Sequence, residues 1–107
     1  MITDEQVEVA LKLLDESPQR FGQLWGAVKA GEHLVKQYFS RAFMATKTGS
    51  VEYRKAEATT DPEYIRIQHD YENAEAEYKT LWAQISAAKI LLEVYRTQQA
   101  SNRARML

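Results

Sequence analysis

The chain has 107 residues, 45% of them hydrophobic and 27% charged, with a formal net charge of −1, a make-up suited to one soluble domain with a modest core. It contains no cysteine, which excludes disulfides, thiol catalysis and cysteine–zinc sites. Four glycines and two prolines leave too few turns for a sheet of many short strands.

The N-terminal Met1-Ile2-Thr3-Asp4-Glu5 is acidic and lacks the apolar core of a signal peptide. Thr3 is placed as a helix N-cap, Gln6 as its capping-box partner, and Ile2 and Val7 as a hydrophobic staple. Val7, Ala10, Leu11 and Leu14 then follow the spacing of one buried helix face. Ser17-Pro18 predicts an end to this first helix, over about residues 4–15, because the residue before a proline is pushed out of the α region. The same pair starts a second helix, with Ser17 as cap and Pro18 at the first helical position.

The second helix, about 18–47, has an apolar seam of Phe21, Leu24, Val28, Gly31, Val35, Tyr38, Ala42 and Ala45, broadened by Trp25, Leu34, Phe39 and Phe43. Gly22, Gly26 and Gly31 each cost about 1 kcal/mol relative to alanine inside a helix. They either break the helix near Gly31 or let another helix backbone approach closely. Lys47-Thr48-Gly49 is placed as a C-terminus, with Gly49 able to take the left-handed conformation. Ser50 can cap a short helix over 51–58.

Thr60-Asp61-Pro62-Glu63 is the clearest helix start: a polar cap, a proline at the first position and acid in the first turn. The helix it opens is expected over about 62–100, followed by a basic tail at 101–107. Its alternating three-then-four spacing is apolar at every step: Tyr64, Ile67, Tyr71, Ala74, Tyr78, Leu81, Ile85, Ala88, Leu92 and Tyr95. Such a repeat keeps one seam toward a partner helix, as in a coiled coil. A helix of roughly 39 residues spans about 58 Å, too long for a compact monomer of this size. From Leu81 to Tyr95 apolar residues surround it, Trp82, Ile90, Leu91 and Val94 among them, and such a stretch needs cover on all sides. The second helix is expected on one side, the first on another, and a two-fold copy on the third. A homo-oligomer, most simply a dimer, is therefore expected.

Charge selects the topology. Residues 57–77 hold seven acids against Arg66, whereas 29–55 hold six bases against Glu32 and Glu52. An antiparallel hairpin puts these stretches side by side and brings Arg96, Arg103 and Arg105 toward the acidic first helix. Exposed pairs contribute at most about 1 kcal/mol each, so they choose orientation without supplying the stability. The fold class is all-α: an antiparallel helical hairpin or bundle with a long C-terminal helix, in one domain over 1–107.

Chemistry is sparse. Asp70, Glu72, Glu75 and Glu77 read as a solvated acidic face. His33 and His69 follow Ala30 and Arg66 by three residues, so neither forms the Glu-x-x-His pair of a di-metal bundle. There is no phosphate loop and no nucleophile context, and no apolar run nears the roughly 20 residues that span a bilayer. No enzyme activity, cofactor, metal or membrane contact is expected, and the location is cytoplasmic. Arg96, Arg103 and Arg105 are the candidates for nucleic-acid contact. A protein partner is the other expectation.

The stretch from Glu77-Tyr78-Lys79-Thr80-Leu81-Trp82 through Ile90–Gln98 to Ala100-Ser101-Asn102-Arg103 resembles the C-terminal helix of small helical bacteriophage proteins of unknown function. Those proteins are encoded near phage recombination and replication genes. The resemblance covers the C-terminal half and implies an accessory role in the host cytoplasm, with no catalytic residue. A secreted helical-hairpin family with a Trp-x-Gly turn is not matched, since Trp25 and Gly26 are adjacent.

Overall fold

The computed structural model describes residues 1–106; Leu107, the last residue of the expected tail, lies outside them. The described chain forms helices α1 (Asp4–Ala45), α2 (Val51–Ala58) and α3 (Pro62–Met106), with no strand among the described residues.

Local chemistry sets the helix starts as the sequence predicts. The Thr3 hydroxyl accepts from the Gln6 amide at 3.2 Å while the Gln6 side chain accepts from the Thr3 amide at 2.8 Å, closing the capping box. Ser50 caps α2 by accepting from the Tyr53 amide at 3.1 Å, and Gly49 enters that turn at φ 102°, where a side chain would be strained. The Asp61 carboxylate accepts from the Tyr64 amide at 2.9 Å at the start of α3. The α1 end is held by a residue outside it. The Arg54 guanidinium donates to the Thr46 and Phe43 carbonyls at 2.8 and 3.4 Å, and it lies 4.3 Å from the centre of the Phe43 ring.

The expected break at Ser17-Pro18 does not occur. The helices placed at 4–15 and 18–47 are one 42-residue helix with Pro18 inside it. An interior proline costs roughly 3 kcal/mol, but Leu14, Ser17 and Phe21 continue the seam spacing of Val7 and Ala10 straight through the junction, and all five are buried or half-buried. Breaking the helix there would turn that seam out of register. The Ser17 hydroxyl donates back to the Leu13 carbonyl rather than capping a new helix. Two other ends move: α1 stops at Ala45, and α3 runs on to Met106, so the tail from 101 to 106 is helical.

Packing divides the chain into two compact units. The central unit is Gln23–Tyr78. Its buried apolar residues are Leu24, Val28, Ala58 and Ile67, drawn from all three helices. Its ring pairs run antiparallel: Phe39 meets Tyr64 edge-on at 5.7 Å, and Trp25 meets Tyr78 at 5.8 Å. Between them Gly31 is buried against Tyr71, and a Cβ there would lie 2.7 Å from the ring carbon Cδ2. Of the two possibilities for Gly31, close approach is the one realised, and the helix is unbroken.

The terminal unit joins Met1–Gly22 to the chain from Lys79 onward. Its buried residues are all small: Ala10, Ser17 and Ala88. Small residues along a seam let helix axes come close but contribute little apolar area. The expectation that two separate helices flank Leu81–Tyr95 is corrected here, because the first helix is simply the start of α1. Within this unit α3 has one neighbour.

Candidate interaction surface

The ten seam positions of α3 all turn inward to some degree. Ile67 and Ala88 are buried; Tyr64, Tyr71, Ala74, Tyr78, Leu81, Ile85, Leu92 and Tyr95 are half-buried. Two of the four seam tyrosines, Tyr71 and Tyr95, place their hydroxyls on carboxylates at its edge. The Tyr71 hydroxyl donates to the Glu75 carboxylate at 2.8 Å, and this bond, with smaller contributions from burial and nearby acids, raises its pKa above the ordinary tyrosine value. The Tyr95 hydroxyl donates to Asp4 at 3.5 Å, tying the C-terminal half of α3 to the acidic start of α1.

In the terminal unit the side chains beyond the seam are left open. Trp82 is 57% exposed, Ile90 61% and Val9 66%. Two grooves flank the α1–α3 contact. One, of about 560 Å³, is lined by Gln6, Val9, Leu13, Gln84, Ala87 and Leu91 among others. The opposite one is lined by Leu14, Phe21, Trp82, Ile85 and Lys89 among others.

The candidate nucleic-acid residues do not converge. At 100° per residue, Arg96 and Arg103 point within about 20° of each other, and Lys89 shares their side. Arg105 projects roughly 160° away from Arg103. All three arginines are exposed. The acidic residues Asp70, Glu72 and Glu77 are exposed and Glu75 half-buried, and His33 and His69 are exposed. Among the described residues no three histidine or acidic side chains are grouped to hold a metal ion, and no helix is long and apolar enough to cross a membrane.

Sequence reasoning missed two features. The Arg54 contact with the end of α1 joins residues eight and eleven apart across a turn, which no helix-period signal reports. The continuity of α1 was readable, because Val7, Ala10, Leu14, Ser17, Phe21 and Leu24 keep a three-and-four spacing through the proline. Compared with known protein families, curated proteins and solved structures, the chain finds no match.

Proposed function

We propose that the chain is a non-enzymatic accessory protein that acts by helical self-association and by presenting a helical surface to a protein or DNA partner. The supporting observation is the terminal unit: two helix segments that fully bury only small residues, keep Leu14, Phe21, Leu81, Ile85 and Leu92 half-buried, and leave Val9, Trp82 and Ile90 more than half exposed. Such a unit is completed by another helical surface. A role in phage recombination or replication rests on the resemblance of the C-terminal half alone. Sedimentation velocity over micromolar concentrations tests self-association: the expected species is a dimer of the 12.3 kDa chain, and a monomer throughout refutes it.

A second reading is a structural or adaptor subunit that contacts no nucleic acid. The divergence of Arg105 from Arg96 and Arg103 favours it, since a phosphate backbone is best met by cations on one face. Gel shifts at low and high salt with single- and double-stranded DNA separate the two. Binding that falls steeply with salt and is lost in Arg96→Ala/Arg103→Ala supports DNA contact. No shift at low salt leaves the adaptor reading.

A further inference from the structure

Between Thr80 and Ala104 the terminal unit has one charged and one charge-free face on α3, the second bounded beyond Gln98 by Arg105, which points the same way as Ala87. From Thr80 to Ala104 the charged residues of α3 are Lys89, Glu93, Arg96 and Arg103. Helical rotation gathers them within an arc of about 80°. Gln84, Ala87, Leu91, Val94 and Gln98 are centred roughly 180° away. The charged arc flanks the seam on the side where α1 carries Asp4 and Asp15. The charge-free arc flanks it on the other side, where Gln6, Val9 and Leu13 of α1 complete the face with Glu5 at its edge, and the 560 Å³ groove lies there.

Area sets what such a face requires. A folded monomer of 12.3 kDa exposes about 6,100 Å² by the area–mass relation, whereas this chain exposes 8149 Å², an excess of about 2,000 Å². A standard interface covers roughly 800 Å² of each partner, and obligate homodimers cover about 1,000–2,500 Å². The excess therefore matches the area that one obligate partner of similar size removes from water.

We infer that a second copy of this chain docks on the uncharged face of the terminal unit, over Val9 and Leu13 of α1 and Ala87, Leu91 and Val94 of α3. The inference rests on the self-association proposed above and specifies its surface, which takes in Val9, whereas Trp82 lies with Lys89 in the opposite groove. A two-fold pairing sets this face against itself, so that Lys89, Glu93, Arg96 and Arg103 stay outside the contact, Gln6, Gln84 and Gln98 border it as neutral polar residues, and Glu5 and Arg105 lie at its margin. The charged faces of both copies, with Lys89, Arg96 and Arg103, stay in water. Four helix segments then surround a core made of the two grooves.

The test is sedimentation and circular dichroism of the full chain with Ala87→Glu/Val94→Glu, against Lys89→Glu/Arg96→Glu on the opposite face. Both pairs are exposed in a single chain, so the hairpin itself does not require them. The expected result is a dimer for the wild type and for the Lys89/Arg96 variant, and at least a hundredfold weaker association for the Ala87/Val94 variant. A second measurement covers the case in which that variant loses its helicity. The chain has no cysteine, so pyrene can be attached to Val94→Cys or to Lys89→Cys alone. Excimer emission from position 94 and not from 89 is expected. A wild-type dimer indifferent to the Ala87/Val94 change, or excimer emission at 89 only, overturns this face while leaving self-association standing. A wild-type monomer at every concentration overturns both.

Discussion

The central and terminal units use the same two long helices and differ in what they bury, although both leave large apolar side chains exposed, Trp25 and Ile65 in one and Val9 and Trp82 in the other. In the central unit α2 adds a third layer, and the buried residues include Leu24, Val28 and Ile67. In the terminal unit the buried residues stop at Ala10, Ser17 and Ala88. The outward side of α3 differs too. In the central unit Arg66, His69, Asn73 and Ala76 occupy it, whereas in the terminal unit the equivalent steps are Thr80, Ala83, Ala87, Ile90 and Val94. A sustained heptad seam thus establishes that a helix has a neighbour along its length. What lies off the seam determines how many neighbours it needs.

The sharpest way to break this contrast is in the central core. Leu24→Ala should cost about 2–5 kcal/mol in denaturant unfolding at fixed protein concentration. Val9→Ala in the terminal unit, at a side chain 66% exposed, should cost the hairpin little and weaken association instead. Equal losses of folding stability at the two sites would remove the distinction between the units.

Next in size is Pro18→Ala. An interior helix proline costs roughly 3 kcal/mol relative to alanine, so this replacement should raise stability by about 1–3 kcal/mol. A neutral or destabilising result would mean that Ser17-Pro18 acts as the helix start that its local chemistry suggests.

That residue pair also marks where the sequence stops being legible. Caps are local chemistry, and Thr3 with Gln6, Ser50, and Asp61 with Pro62 all act where the sequence puts them. Ser17-Pro18 has the same local chemistry and a different outcome, because the outcome is decided by contacts of Ala10, Leu14, Ser17 and Phe21 with residues some seventy positions later in the chain. The continuity of α1 has a further consequence: its start covers the stretch from Leu81 to Tyr95, but the residues after Gly22, expected as a second neighbour, belong to the central unit, which leaves that stretch with a single neighbour. The segregation of charge on α3 was readable from spacing alone. Its meaning needed the groove on the uncharged side and the exposed area to be known.

Glycine sharpens the comparison at smaller scale. Gly26→Ala meets nothing within 4 Å and should stabilise the protein by up to about 1 kcal/mol through helix propensity. Gly31→Ala gains the same propensity but drives a Cβ to 2.7 Å from the Tyr71 ring, so it should be destabilising on balance. Thermal unfolding of the two single variants reads the sign. Two stabilising results would mean that the α1–α3 contact at Gly31 is looser than the structure has it.

The smallest expected effect is electrostatic. The hydrogen bond to Glu75 raises the Tyr71 pKa, so Glu75→Gln should bring it back toward the ordinary value in an ultraviolet titration. The folded state holds the Tyr71 proton more tightly than the unfolded chain does. Its contribution is therefore complete below the unfolded tyrosine pKa and is lost as pH rises through the folded value. An unchanged titration in Glu75→Gln would place the cause elsewhere.

Amide hydrogen exchange followed as a function of protein concentration tests the central claim most directly. Diluting the protein through its dissociation range should strip protection from the α1 and α3 amides of the terminal unit, around Val9–Leu13 and Ala87–Val94, while those around Leu24–Val28 and Ile67–Tyr71 keep theirs. Protection that is independent of concentration in both units, or that falls equally in both, would contradict the account.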